Sequence, residues 1–214
     1  MSMNLIKTFW NNGGYNLVSM NMEEEYMTVE KLQEVFGEWP LRVGKFEKVS
    51  YEQFKKDWLN TYNESGDEEL RSEKAIKDAY DTLNVPVRGS TGSDGYDFYS
   101  PLSFTLYPNE YIKIPTGIKI YMLEGFSLTC VPRSGIGNKY HCRISGTVAL
   151  IDNDYYNNTK NEGHIMITIR NEGDKQFSIN KGERFCQGSI RMGGITFDDN
   201  VNEIRNGGFG STGK

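Results

Sequence analysis

The sequence predicts a mainly β, antiparallel sandwich or barrel with an N-terminal helical appendage. Three observations carry that expectation. From residue 104 onward, short segments rich in β-branched and aromatic residues recur at close spacing, divided by turn signals. Eighteen of 23 glycines and five of six prolines follow Leu83, a density of turn formers that interrupts helices. The charge balance also changes there. Residues 1–83 hold 10 Lys+Arg against 16 Asp+Glu and all three tryptophans, whereas residues 84–214 hold 14 against 13. The chain is therefore divided into an acidic, mostly helical extension (1–83), a β domain (84–204) and a Gly-rich arm (205–214).

Within the extension, residues 28–36 read as a short helix, with Thr28 as cap and Gly37 as stop. Ser50-Tyr51-Glu52-Gln53 matches a capping box. Tyr51, Phe54 and Trp58 then share one helical face. Residues 60–67 read as an exposed loop, and a third helix is expected from Glu68 to Leu83, with Leu70, Ile76, Ala79, Tyr80 and Leu83 inward. The plain reading of this region is a packed appendage; the alternative is a docking surface for a regulatory protein partner.

Strands are expected at 104–107, 111–114, 117–123, 126–131, 143–151, 164–170 and 176–179. Turns fall at Pro108-Asn109, Pro115-Thr116, Glu124-Gly125, Asn171-Glu172-Gly173-Asp174 and Lys181-Gly182. His164 through Ile169 is apolar at nearly every position, which predicts a central strand buried on both faces.

Composition excludes several classes. The chain is 37% apolar and 25% charged, as soluble globular proteins are. No run approaches the roughly 20 apolar residues of a membrane helix. The N-terminus lacks a signal-peptide pattern, so a cytoplasmic protein without membrane contact is expected. A net charge of −5 argues against direct nucleic-acid binding, though a few placed cations suffice for a small anion. Cys130, Cys142 and Cys186 are too few and too scattered for a disulfide framework. His141 and His164 are too few for a His-rich zinc site.

Five segments stand out from the strand background. They are Gly92-Ser93-Asp94-Gly95-Tyr96-Asp97-Phe98; Pro132-Arg133-Ser134-Gly135-Ile136-Gly137-Asn138-Lys139; Gly146 through Tyr155; Lys181-Gly182-Glu183-Arg184-Phe185-Cys186-Gln187; and Arg205 through Gly213. Taken singly, each has an ordinary explanation as a turn or a tail. The last is chemically unusual. Its glycines let backbone N–H groups approach a phosphate, Ser211 and Thr212 add donors, Arg205 adds charge, and Phe209 offers a face to a planar base.

In this order the five segments resemble the motifs of the trimeric deoxyuridine triphosphatases (dUTPases), over about residues 84–214. Asp154-Tyr155-Tyr156-Asn157-Asn158 and Asn161-Glu162-Gly163-His164-Ile165 are similar to the longer variant of Firmicutes and their phages. The resemblance implies a homotrimer of jelly rolls, Mg2+, and conversion of dUTP and water to dUMP and pyrophosphate. It implies the following roles. Asp152 holds the water that attacks the α-phosphorus. Gln187 supports that water, and Ser134 bonds phosphate oxygens near the scissile bond. Asp97 organises the metal through water; the plain alternative is an ion pair with an arginine. Tyr155 packs under the deoxyribose and leaves no space for a 2′-hydroxyl. Arg133 and Gly135 join Ser134 on the phosphates, and the hairpin around Gly146 and Ala149 reads uracil. In the arm, Arg205, Ser211 and Thr212 clamp the γ-phosphate, Gly210 lies among them, and Phe209 covers the base.

Asp94, Gly146 and Ala149 depart from the usual Ala, Asn and Gly of that pattern, Asn138 is unusual, and the Arg205–Phe209 spacing is one residue short. These departures read as tuning. A dCTP deaminase, which shares the fold, would carry a catalytic Glu where this chain has Ile151-Asp152-Asn153-Asp154-Tyr155.

Overall fold

A computed structural model describes residues 3–11, 14–22, 30, 33–34, 37, 40–63 and 67–201. The chain forms two compact units, residues 1–42 and 43–214. The boundary between these two units falls at Arg42–Val43, whereas the change in composition falls at Leu83.

The first unit contains a β-hairpin rather than helices alone. Strand β1 (Met3–Asn11) pairs antiparallel with β2 (Gly14–Met22), Met3 opposite Met22 and Asn11 opposite Gly14. Of the helix expected at 28–36, Glu30, Gln33 and Glu34 are helical, and the rest lies outside the described residues. Gly37 has φ +80°, and its N–H donates to Gln33 O at 2.7 Å, the left-handed stop that glycine provides at a helix end.

Residues 43–83 belong to the second unit because they finish its core. Strand β3 (Gly44–Lys48) pairs with β8 (Ile118–Met122). Helix α1 (Tyr51–Tyr62) starts at Ser50, whose Oγ accepts from Gln53 N at 3.2 Å. The reciprocal half of the capping box does not form. Ser50 N–H donates instead to Glu162 Oε2, and the Gln53 amide donates to Asp57 Oδ2. Phe54, Trp58 and Tyr62 follow at four-residue spacing and are buried on one stripe. The helix runs past the expected loop start at residue 60 because Tyr62 packs edge-on against Trp58 at 5.0 Å and donates to Lys113 O. Helix α2 (Glu73–Asp81) is capped by Ser72 and buries Ile76 and Ala79, shorter at its start than the sequence suggested.

The remainder is mainly β, as expected, and every strand pair among the described residues is antiparallel. The largest sheet has the order β11 (Ala149–Asp152), β9 (Phe126–Pro132), β14 (Arg184–Met192), β5 (Tyr96–Tyr99), β4 (Val87–Arg88). A second runs β10 (Cys142–Ile144), β12 (Met166–Asn171), β7 (Tyr111–Pro115). Strand β6 (Phe104–Leu106) pairs with β13 (Phe177–Ile179). As predicted, β12 is central in its sheet, and Ile165, Met166, Ile167 and Ile169 are buried. The single strand expected at 143–151 is instead two, broken by a tight turn in which Gly146 and Thr147 take φ of +85° and +75°. One apolar cluster joins Phe54, Trp58 and Ile76 to Phe98, Leu128, Ile167 and Phe185.

Candidate active site

The strand register brings three of the five motifs together. Asp97 on β5 and Val131 on β9 both stand opposite Gln187 on β14. Residues directly across a ladder share a face, and residues two apart on one strand do too. Gln187, Ser189 and Arg191 therefore form one row, and Asp97 and Val131 flank it. Arg133 and Ser134 follow β9 at the start of the short helix α3 (Ser134–Tyr140). These side chains, with Ser93, Asp94, Gly95 and Arg184, line a cavity of about 470 Å3.

The cavity is built of paired charges. Arg133 Nε lies 3.1 Å from Asp97 Oδ1, and Arg184 Nη1 lies 3.2 Å from Asp97 Oδ2. Asp97 is buried, so its carboxylate is held by two guanidiniums of the same cavity; this is the arginine pairing that sequence alone allowed. Arg191 Nη2 contacts Asp94 Oδ2 at 2.9 Å, and Ser189 Oγ donates to the same oxygen. Three arginines against two aspartates leave an excess positive charge, as an anionic ligand requires. Gly95 matters sterically: a β-carbon there would lie 3.0 Å from Gln187 Oε1, so glycine lets the amide lie across the floor. Arg184, Ser189 and Arg191 were assigned no role from sequence. The signal was present in the alternation Gln187-x-Ser189-x-Arg191, which reads as a polar strand face once the segment is recognised as a strand.

The third motif lies elsewhere in the chain. Asp152 ends β11 opposite Ser127, while Ala149 stands opposite Cys130. The Ala149 side chain is partly buried and packs against the core. Gly146 makes the left-handed turn of the hairpin, where Thr147 N–H donates to Ile144 O and Val148 N–H to Gly146 O. A 3-10 turn at Asn153–Tyr155 then buries the Tyr155 ring. Its hydroxyl donates to His164 O at 3.1 Å and accepts from Asn161 Nδ2 at 2.6 Å. Gly135 opens α3 beside Ser134. Arg205, Phe209, Gly210, Ser211 and Thr212 lie outside the described residues.

All three cysteines are buried free thiols. Burial drives the Cys186 thiol well above its ordinary value, and the neighbouring Cys130 adds to the shift. A buried thiol raised in this way is a poor nucleophile. No helix among the described residues is long and apolar enough to cross a membrane.

Known proteins of one family resemble this chain. The dUTPase family model matches residues 81–213. The deoxyuridine 5'-triphosphate nucleotidohydrolase of Lactococcus lactis subsp. lactis is 41% identical over 134 residues, covering 61% of this chain and 89% of that protein. The enzyme of the same name from Paraburkholderia xenovorans is 35% identical over 153 residues, covering 68% and 99%. Among solved structures, a dUTPase from Streptococcus mutans aligns with a TM-score of 0.51 and 26% identity, over 71% of this chain and 97% of that one. The family model spans the five sequence motifs, three of which line one charged cavity, and the chain belongs to the dUTPase family.

Proposed function

We propose that the chain is a dUTP diphosphatase, hydrolysing dUTP to dUMP and pyrophosphate. The carrying observation is the cavity in which Arg133, Ser134, Gln187, Arg184 and Arg191 converge around Asp97, a surface matched to a triphosphate. Asp152 would accept the proton of the water that attacks the α-phosphorus, and Gln187 would orient that water by hydrogen bonding. Arg133 and Ser134 would hold the phosphate oxygens on which charge grows during attack. Water adds to phosphorus, the bond to the bridging oxygen breaks, and pyrophosphate leaves. Gly135 lies beside Ser134 at the phosphates, and Tyr155 would lie under the deoxyribose. The Gly146–Ala149 hairpin would read uracil through main-chain groups. Arg205, Phe209, Gly210, Ser211 and Thr212 would close over base and γ-phosphate.

Magnesium suits the donor set of the cavity. Asp97 and Asp94 supply carboxylate oxygens there, and among the described residues no group of three or more His, Cys, Asp or Glu forms a separate cage. Magnesium carried with a nucleotide needs one or two carboxylates, the rest being phosphate and water. Asp97 would hold it through water, and when bound it would neutralise charge on the triphosphate.

The separation of Asp152 from the cavity supports sites shared between copies, as in the homotrimer that the resemblance implies. Gln187 aligns with Val131 and Asp152 with Ser127, four residues further along β9 and two strands away from β14. At 3.3 Å per residue and 4.8 Å per strand, that is about 16 Å. One bound water cannot bridge it, so the Asp152 serving a given cavity would come from another copy, in a closing cyclic assembly.

The test is pyrophosphate release with Mg2+ from dUTP, dCTP, dTTP and UTP in parallel, with Asp152→Asn as control. Turnover confined to dUTP and lost in the variant is expected. Ammonia release from dCTP, or no turnover of any nucleotide, would overturn the assignment.

A further inference from the structure

The loop that follows Asp152 is held by residues far from every family motif. Three ties reach it from residues 43–83. Tyr156 OH donates to Glu47 Oε2 at 2.6 Å. Ser50 Oγ and N–H both donate to Glu162. His164 Nδ1 lies 2.7 Å from Asp57 Oδ2 on α1. The third is the most constrained. The His164 side chain is fully buried, and its Nε2 accepts from Gly117 N–H at 2.8 Å. An acceptor at Nε2 places the proton on Nδ1, so His164 donates to Asp57. Asp57 Oδ2 is steadied in turn by the Gln53 amide at 2.8 Å.

His164 is also the residue whose carbonyl receives the Tyr155 hydroxyl. Asn161 Nδ2 bonds that same hydroxyl, and Asn158 Nδ2 bonds the Tyr155 carbonyl at 2.8 Å. Gly163, at φ +79°, passes so close that a β-carbon there would lie 2.6 Å from Tyr155 O. A continuous set of bonds therefore runs Gln53–Asp57–His164–Tyr155, from helix α1 to the ring that the proposed function puts under the sugar.

We propose that Asp57 and His164 are positioning residues for Tyr155, and that through it helix α1 sets discrimination against a 2′-hydroxyl. This rests on the dUTP diphosphatase reading. Neither residue touches nucleotide; each acts by fixing the ring plane, and an ångström of looseness there admits the extra oxygen of UTP.

The test compares kcat/KM for dUTP and UTP in the wild type, Asp57→Ala, Asp57→Asn, Tyr155→Phe and the Asp57→Ala/Tyr155→Phe double variant. Asp57→Ala is expected to relax the dUTP preference about tenfold, mainly through a higher KM for dUTP and a lower one for UTP. Asp57→Asn keeps an oxygen acceptor for His164 and should restore most of the preference. The double variant should be no worse than Tyr155→Phe alone, because both act on one ring. An unchanged dUTP:UTP ratio in a folded Asp57→Ala protein with a lowered Tm would overturn the proposal and leave Asp57 a helix anchor only. Should Asp57→Ala not fold, Asn161→Ala takes its place, with the same expectation and the same overturning result. Should the wild type not hydrolyse dUTP, the functional reading fails separately. A urea-unfolding cycle of Asp57 and Tyr155 then decides the positioning claim, strict additivity overturning it and coupling sustaining it.

Discussion

Asp152 and Gln187, both expected beside the reacting phosphorus, occupy one sheet but sit four register steps and two strands apart. Both face the same side, since Asp152 pairs with Ser127, Ser127 with Arg191, and Arg191 shares its row with Gln187. A single copy therefore presents two half-sites. Mixing Asp152→Asn chains with Gln187→Ala chains should restore dUTP turnover, though each alone is inactive. If each site draws the two residues from different copies, random 1:1 mixing leaves about a quarter of sites intact. Subunit exchange followed by pyrophosphate release measures this, and absence of any rescue would mean that both residues act from one chain.

Asp94 is the departure with the clearest electrostatic consequence. It accepts from Ser189 and pairs with Arg191 in the same cavity that would take the triphosphate. Asp94→Ala removes one negative charge and frees one guanidinium. At separations of several ångströms and an effective dielectric between protein and water, the gain is about 0.5–1.5 kcal/mol. The KM for dUTP should fall severalfold, and the difference should shrink as salt is raised. A higher KM in this variant would instead show that Asp94 holds Arg191 in its working position.

The position of the domain boundary makes a sharp contrast between two truncations. A chain beginning at Val43 keeps β3, α1 and α2, whereas one beginning at Lys74 loses Phe54, Trp58 and Tyr62 from the shared core. The first should unfold cooperatively near the full-length Tm, and the second should fail to fold. Phe54→Ala in the full chain is expected to cost about 3–5 kcal/mol, the usual penalty for emptying a buried aromatic site. Thermal and urea unfolding followed by far-ultraviolet circular dichroism distinguish these cases. A stable fragment from Lys74 would reinstate the extension as a separable module.

Much of this was legible in the sequence, and the failures have physical causes. The Ser50 cap, the buried stripe through Phe54 and Trp58, and the doubly buried strand at Met166–Asn171 follow from local pattern. So did the members of the cavity that carry motif residues, Asp97, Arg133, Ser134 and Gln187. The change in composition at Leu83 and the boundary between the compact units at Arg42 differ, because composition reports acidity, whereas membership of a compact unit depends on where apolar faces end up. Strand β3 has only Phe46 as a large apolar residue, too little to signal its pairing with β8. His164 appeared as one residue of an apolar run, and its bond to Asp57 spans 107 positions, beyond any local pattern. Strand β14 begins inside the fourth motif, and its polar Gln187, Ser189 and Arg191 alternate with Gly188, Ile190 and Met192, so that only Ile190 and Met192 mark its apolar side beyond the motif.

The clamp on the third-motif loop also predicts a dependence on acid. Burial raises the Glu162 carboxyl, but hydrogen bonds from the Ser50 hydroxyl and N–H, together with Lys119, hold it below the ordinary value of 4.5. A carboxyl lowered by folding contributes stability at pH above its unfolded value and loses it as pH falls through the folded one. Glu162→Gln should therefore be destabilised most at neutral pH, with the gap to wild type closing as the pH falls below the ordinary value of 4.5. Ser50→Ala removes the hydroxyl bond and the helix cap together, so at neutral pH it should cost more than Glu162→Gln; the cap alone is worth about 1 kcal/mol. Urea midpoints measured across this pH range test both statements. A gap that stays constant with pH would show that Glu162 supports the loop by packing rather than by charge.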